Sequence, residues 1–298
     1  MNYNRRGFML SFLAPAIIIY SIFVLWPYVN AFYISLTSWS GVSANQPFVG
    51  FSNYADLLTS GRFVEALGRN AQLLIVLPLG TLSVALLFAA LFTQGGAGIL
   101  GSGFYRVVYF FPQVISVVIV GILFQYVYNP RYGLLNETLG FMRLDGLTRT
   151  WLGDGATILW AIAFVFIWSS IGFYMVIFIA SMQSIPTSFY EAATLDGATN
   201  WRQFRDITFP LMWETIRTAM IYISIQALDL FVLVQVMTGG SFSGPQRNAE
   251  VAAVFMYTEA FGNSQWGSAA AVGVILMILT MVLSVVIMRV TRREVYEY

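Results

Sequence analysis

The stretch YEAATLDGATNWRQFRDITFPLM, residues 190–212, is the longest strongly polar segment that lies between two apolar segments able to cross a membrane. Because of this position, we expect the stretch to be a helical excursion out of the bilayer that resembles part of a soluble protein. An exposed, structured loop with apolar side chains is a natural contact surface on a membrane protein. The stretch therefore predicts a polytopic membrane protein with a docking site for another protein.

Composition supports the membrane assignment. The chain has 298 residues, of which 58% are apolar and only 10% are charged, and its mean hydropathy is +0.73. A soluble domain carries roughly a quarter charged residues. The formal net charge of +1 gives no basic field for binding nucleic acid.

The residue types that are missing exclude several kinds of chemistry. All fifteen basic residues are Arg, and the chain contains no Lys, His or Cys. A disulfide, a thiolate or histidine metal site and a GxxxxGK[ST] phosphate-binding loop are therefore excluded. An intramembrane hydrolase would lack the usual groups that activate its nucleophile. We therefore expect no metal site, no catalytic residue and no enzyme activity on this chain.

Six apolar segments are long enough to cross a bilayer as helices, since about 20 residues span its core. Helices are favoured because backbone groups in lipid need partners within the segment, and no period-2 alternation is present. The fold class is therefore all-α, and residues 1–298 are interpreted as one membrane domain. The predicted spans are residues 8–36, 71–92, 107–128, 157–180, 209–237 and 267–288.

An even number of spans places both termini on one side. Arginines flank both ends of the chain, which favours a cytoplasmic location for both termini. The segment around residues 184–208 then also faces the cytoplasm. The flanking basic residues are Arg5, Arg6, Arg289, Arg292 and Arg293.

Prolines and glycines mark bends and loops. Pro15, Pro27, Pro78 and Pro112 lie inside predicted spans, where each favours a kink. Turn signals predict outer loops around residues 129–133 and 239–248, with a short surface helix over residues 134–142. The glycine-rich run at residues 95–103 predicts a loop on the other side.

The polar stretch divides into two predicted helices. Ser188 and Glu191 have the spacing of a capping box at the start of the first. Asp196 and Gly197 should end that helix with a left-handed turn. Asn200 is then the predicted cap of a second short helix, before the chain re-enters the bilayer near residue 210.

Two interpretations of this stretch remain open from the residues alone. In one, Glu191 is only a capping partner and Gly197 only a turn residue. In the other, Ala192 and Ala193 let a partner protein approach closely, and the partner covers apolar side chains. Those side chains are Tyr190, Leu195 and Trp201.

A polar stripe runs along the fifth predicted span. Asp229 is the only charged residue between Arg217 and Arg247, and intramembrane acids usually face a cavity or a partner. Gln226 and Tyr222 lie about one and two turns before it on the same face. These side chains suit the hydroxyls and ring faces of a sugar, although an interhelical hydrogen bond is the alternative. Weaker candidates for the same path are Trp168, Tyr174 and Gln113.

The motifs taken in order resemble a known family. Glu191-Ala192-Ala193, followed by Gly197, resembles the EAA loop of permease subunits of bacterial ATP-binding-cassette importers. The wider stretch SIPTSFYEAATLDGA at 184–198, FVGFSNY at 48–54, YGLLN at 132–136 and MTGG at 237–240 are similar to segments of the maltose and glycerol-phosphate type of sugar permease. One departure is Ser241, where many relatives have a third glycine.

The resemblance implies a permease subunit, of the first-permease type, in the cytoplasmic membrane of a bacterium. It implies alternating access driven by ATP, with ATP and Mg²⁺ bound by a partner and no cofactor on this chain. The partners would be a second permease, a cytoplasmic ATPase dimer, an extracytoplasmic binding protein, membrane lipid and a sugar (an oligosaccharide, polyol or glycerol phosphate). The implied ATPase-coupling residues are Glu191, Ala192, Ala193, Leu195, Asp196, Gly197 and Arg202.

A self-contained secondary transporter or channel is the competing function. In that case Asp229 would carry protons, and no ATPase would be needed. The structured polar loop argues against it, because a self-contained transporter has no use for a docking element.

Overall fold

The computed structural model describes residues 5–93, 102–240 and 244–292, and within them it confirms the all-α fold. The only strand-like pairing in these ranges is an isolated bridge between Thr37 and Phe48. Most of the glycine-rich run 95–103 and Ser241 lie outside the described residues. The α-helices of the described ranges are α1 (Arg5–Tyr20), α2 (Trp26–Ser35), α3 (Ser52–Thr59), α4 (Gly61–Thr93), α5 (Ser102–Val114), α6 (Val117–Val127), α7 (Leu134–Phe141), α8 (Ile158–Gln183), α9 (Thr187–Leu195), α10 (Asn200–Gln203), α11 (Phe209–Leu211), α12 (Trp213–Leu228), α13 (Phe231–Met237), α14 (Ala252–Tyr257) and α15 (Trp266–Val290).

The described helices supply six membrane spans by length and composition. Four are continuous and apolar enough to cross a bilayer: Met9–Ser35, Gly61–Thr93, Ile158–Gln183 and Trp266–Val290. Two more are bent pairs, α5 with α6 at 99° and α12 with α13 at 48°. Counting each pair as one span gives the six that the apolar runs predict.

The second span begins earlier than predicted. Helix α4 starts at Gly61 rather than at residue 71 and is 33 residues long. Its first turns carry charged side chains, so a hydropathy pattern does not include these turns in the span. An ion pair of 3.1 Å between Glu65 and Arg69, four residues apart, supports the helix there.

The third span is sharply broken, whereas the sequence predicts one helix with a kink at Pro112. The proline lies inside α5, and the break comes after it, where Ser116 has φ −53° and ψ 133°. These extended angles end one helix and let α6 restart at Val117. Pro27 has a milder effect. It lies in the first turn of α2, and the π-helical turn Ser21–Leu25 before it accommodates the backbone hydrogen bond that proline cannot donate.

The chain divides into two compact units, Met1–Val64 with Phe255–Ile278 and Glu65–Val254 with Leu279–Tyr298. The single domain expected from the sequence stays a prediction. In the first unit, the Asn53 side chain donates hydrogen bonds of 2.8 Å to the carbonyl oxygens of Ser35 and Thr37. Carbonyls at a helix end have no intrahelical partner, so this asparagine of the FVGFSNY segment caps the end of the first span.

Helix α8 is central to the second unit. Over half of its most apolar window is buried, at 56%, and two glycines let other helices approach closely. A Cβ atom on Gly172 would lie 2.0 Å from the carbonyl oxygen of Tyr109 on α5, and one on Gly80 would lie 2.7 Å from Cδ1 of Ile167. Small residues at helix contacts are typical of membrane bundles.

We predict that Gly172→Ala lowers the free energy of unfolding by about 1–3 kcal/mol, because the new methyl group must displace backbone. Titration of the purified protein with a denaturing detergent, followed by circular dichroism, measures the change. Gly68→Ala in α4 is the control, because a Cβ atom on Gly68 would have no neighbouring atom within 4 Å. Equal stability of the two variants would contradict the close approach of α5 to α8.

Candidate functional site

A cavity of about 580 Å³ lies in the second unit, where the two bent spans meet α8. The end of α5, the start of α6, the middle of α8 and the break between α12 and α13 form its walls. Four of the residues that the sequence places in a substrate path line it: Gln113, Tyr222, Gln226 and Asp229.

Two hydroxyl side chains of the cavity wall are not predicted from the sequence. Ser169 and Ser170 on α8 line the cavity beside the predicted residues. The Ser169 hydroxyl donates a hydrogen bond of 3.0 Å to the carbonyl oxygen of Phe166, as serines often do inside helices. Both serines lie within an apolar segment that gives no sign of which side chains face a cavity. Their position in the wall follows only from the packing of α8.

The break in the fifth span presents Asp229 to the cavity. The sequence predicts one helix over residues 209–237, but α12 ends at Leu228 and α13 begins at Phe231. Asp229 and Leu230 have non-helical angles, with φ −105° and ψ 44° at Asp229. The Asp229 side chain is exposed, and it is the only charged residue among the described residues that line the cavity.

Asn70 of α4 holds this break in place. Its Nδ2 donates a hydrogen bond of 3.0 Å to the carbonyl oxygen of Ala227, and its Oδ1 accepts one of 2.8 Å from the backbone N–H of Ala252. Carbonyls in the last turn of a helix need partners from outside the helix. Asn70 is only 1% exposed, so it satisfies both groups where water has little access.

The second half of the span is fixed against α6. Gln125 donates a hydrogen bond of 2.6 Å from Nε2 to the carbonyl oxygen of Val236 near the end of α13. Gly121 permits close contact, since a Cβ there would lie 2.8 Å from Cγ1 of Val236. Helices α6 and α13, the second halves of the two bent spans, therefore pack against each other beside the cavity.

Two predicted path residues lie elsewhere. The Trp168 ring packs 5.2 Å from the ring of Phe124 and does not line the cavity. Tyr174 is 2% exposed and borders a neighbouring cavity of about 390 Å³. Tyr222 borders both cavities, so it stands between them along α12.

The polar stretch forms helix α9, a glycine turn and helix α10, as predicted. Helix α9 ends at Leu195, and Gly197 has a left-handed φ of +76°. Helix α10 is followed by a π-helical turn, Phe204–Thr208, which leads through α11 into α12. The stretch is thus joined directly to the span that carries Asp229.

Both predicted caps are wrong, by two residues for α9 and by one residue for α10. Helix α9 begins at Thr187 with Pro186 as its cap residue, so Ser188 lies inside the helix and no side chain caps its start. Proline fixes the angles that start the helix without a capping side chain. Thr199, rather than Asn200, caps α10, and its hydroxyl accepts from the Arg202 backbone N–H at 3.4 Å.

Helix α9 has an inner and an outer face. Tyr190 was expected to be exposed, but it packs against the core, and its hydroxyl lies 3.0 Å from Oγ1 of Thr208. Leu195 and Trp201 are exposed as expected, at 89% and 70%. The exposed side chains of the loop also include Glu191, Ala192, Asp196 and Arg202, whereas Ala193 is half-buried.

The Arg202 side chain has a weak local partner. Its Nε lies 3.6 Å from the Asp206 carboxylate, and both side chains are largely exposed. Exposed pairs of this kind contribute about 0–1 kcal/mol, so Arg202 can exchange this partner for another. Within the described residues, no group of three or more acidic, His or Cys side chains could hold a metal ion.

Residues 85–295 match the family described as the binding-protein-dependent transport system inner membrane component. The diacetylchitobiose uptake system permease protein of Streptomyces coelicolor is 38% identical over 98% of this chain and 84% of its own length. The multiple sugar-binding transport system permease protein of Streptococcus mutans is 30% identical over 95% of this chain and 94% of its own. The sn-glycerol-3-phosphate transport system permease protein of Agrobacterium fabrum has the same identity and coverages.

Solved structures show the same fold. A chain of a bacterial ABC transporter involved in the import of the acidic polysaccharide alginate matches with a TM-score of 0.84 at 22% identity, over 97% of this chain and 96% of that chain. A chain of the alginate transporter in complex with a periplasmic protein bound to an alginate pentasaccharide matches with a TM-score of 0.83 at 22% identity, over 98% and 97%. At this identity the likeness concerns the fold alone.

We predict that Asn70→Ala lowers the free energy of unfolding by about 2–4 kcal/mol, because it leaves two buried backbone groups without partners. Detergent-denaturation curves of the purified protein measure the loss. Asn45→Ala is the matched control, since Asn45 lies exposed in a loop of the first unit. An Asn70→Ala protein as stable as this control would show that Asn70 does not hold the break.

Proposed function

Because the chain belongs to the family of binding-protein-dependent transport system inner membrane components, we propose that it is the permease subunit that carries a sugar through the membrane in an ATP-driven importer. Several relatives that match almost the whole chain are permeases of sugar transport systems. The cavity with its amide, hydroxyl and carboxylate side chains, at the break in the fifth span, is the observation that supports a sugar path. The family gives no support to a self-contained secondary transporter.

The polar loop is the proposed contact with the ATPase. Glu191 presents an exposed carboxylate that can form a charge-assisted hydrogen bond to a basic residue. The apolar side chains of Leu195 and Trp201 are largely exposed, and burying each contributes about 1.5–3 kcal/mol. A groove of a cytoplasmic ATPase, which binds ATP and Mg²⁺, fits this combination.

Contacts on the inner face of α9 support a mechanical role. The Tyr190 hydroxyl bonds to Thr208, which is fully buried at the turn that leads into α11 and α12. Ser181 at the end of α8 and Thr215 on α12 are 3.0 Å apart through their hydroxyl groups. A displacement of the loop by the ATPase is therefore passed to α12 as movement of a rigid body, and α12 carries the cavity residues.

The transport cycle is then a two-state alternation between inward-facing and outward-facing forms. The cavity residues Tyr222 and Asp229 are exposed, which suits a wall that a second permease subunit completes. An extracytoplasmic binding protein would deliver the sugar to the outer loops, which include α7. Both termini and the polar loop lie in the cytoplasm in this arrangement.

We predict that Glu191→Arg and Gly197→Asp each abolish ATP-driven uptake, although both proteins still insert into the membrane. Charge reversal at Glu191 removes the charge-assisted bond, and a side chain at Gly197 adds strain of about 1 kcal/mol and a charge on the docking face. Uptake of sugar by proteoliposomes and co-purification of the ATPase are the measurements.

The matched controls lie on the outer side. Glu137→Arg on α7 and Gly146→Asp in the following turn make the same changes at exposed positions. Neither control should reduce co-purification of the ATPase. Uptake at the normal rate by both loop variants would overturn the proposed role of this loop.

A further inference from the structure

The cavity wall carries one formal charge. Among the described residues that line the cavity, Asp229 is the only acidic residue, and there is no arginine. The other polar side chains are amides and hydroxyls, which hydrogen-bond to sugar hydroxyls whatever the charge of the sugar. The remaining lining residues are mostly apolar. On this chain's part of the wall, the carboxylate of Asp229 is therefore the main group that senses the charge of the substrate.

Partial charges of the helix ends do not cancel it. The C-terminal end of α12 and the N-terminal end of α13 meet at the break beside Asp229, so their opposite dipole charges largely offset each other. The N-terminal end of α6 adds positive charge at Val117 on the cavity wall. A helix end is equivalent to roughly half an elementary charge, which leaves the full charge of the carboxylate dominant.

We propose that Asp229 makes this path selective for charge, so that neutral and cationic saccharides pass and acidic ones are rejected. Uronic acid oligosaccharides and sugar or polyol phosphates belong to the rejected class. Like charges within one cavity repel each other, and such repulsion is an effective means of discrimination. This inference rests on the proposed function, because it assigns the substrate class of the same cavity.

The electrostatic effect is large enough to measure. At a separation of about 8 Å and an effective dielectric constant of about 45, Coulomb's law changes the local concentration of a singly charged molecule about fivefold. A cation is concentrated and an anion is depleted by that factor, which gives a ratio of about 25-fold between them. The chain has no Cys, so a single introduced thiol reports this ratio.

The experiment uses the purified importer complex with Ser169→Cys in this subunit. Cationic and anionic methanethiosulfonate reagents of similar size are applied separately, and the rate of labelling of this chain is followed by intact mass. We expect the ratio of the cationic to the anionic rate to exceed the ratio for a free thiol about 25-fold. Adding Asp229→Asn should bring it down to the free-thiol value, and Asp229→Glu should restore it.

Two comparisons keep the result specific. Ala44→Cys, in an exposed loop of the first unit, should show the same ratio with and without Asp229→Asn. Gln113→Cys is a second reporter on the cavity wall. An unchanged ratio in the Asp229→Asn variant, a faster anionic reaction, or a lack of labelling at both cavity positions would overturn the proposal.

Uptake separates this inference from the proposed function. If the wild-type complex takes up no sugar, the proposed function fails, whereas the labelling ratio still reports the potential of the cavity. If a neutral disaccharide is taken up, its cationic amino-sugar analogue and its acidic uronic acid analogue are compared in the same complex with the same binding protein. Asp229→Asn should then raise uptake of the acidic analogue relative to the neutral one, and an unchanged ratio would contradict the charge selectivity.

Discussion

A break in a membrane-spanning helix must find partners for the backbone groups that it releases, because lipid offers none. In this protein the fifth span breaks at Asp229 and Leu230, and Asn70 supplies the partner for Ala227. The same side chain binds the start of α14 at Ala252. These two hydrogen bonds stabilise the break at which the carboxylate faces the cavity.

The polar loop and the cavity wall formed by α12 and α13 are parts of one continuous piece of chain. Helix α9, the turn at Gly197 and α10 lead through a π-helical turn into α12. The Tyr190 hydroxyl hydrogen-bonds to Thr208 in that turn, so α9 is tied to the segment that leads into the span. The arrangement accounts for the placement of an apolar, exposed surface at one end of α12 and the polar cavity wall at the other.

Much of this could be predicted from local sequence, and the rest depends on distant contacts. The apolar runs gave the six spans, and the polar stretch gave two helices around Gly197. Hydropathy does not predict the early start of α4, because charged side chains lie in its first turns. Local sequence does not predict the break at Asp229 either, because Asn70 has its partners at positions 227 and 252. The sequence does not show which way an aromatic or hydroxyl side chain in an apolar helix points. Trp168 lies outside the cavity wall, and Ser169 lines it without having been predicted.

The central claim is that the outer face of α9 is seated on an ATPase, and cross-linking tests it most directly. Leu195→Cys carries a thiol-reactive photo-cross-linker, and Phe141→Cys on α7 is the control, since the two positions are 89% and 90% exposed. Irradiation of the complex should join the ATPase subunit to position 195 and not to position 141. An absence of ATPase adducts at position 195, or equal yields at both positions, would contradict the account.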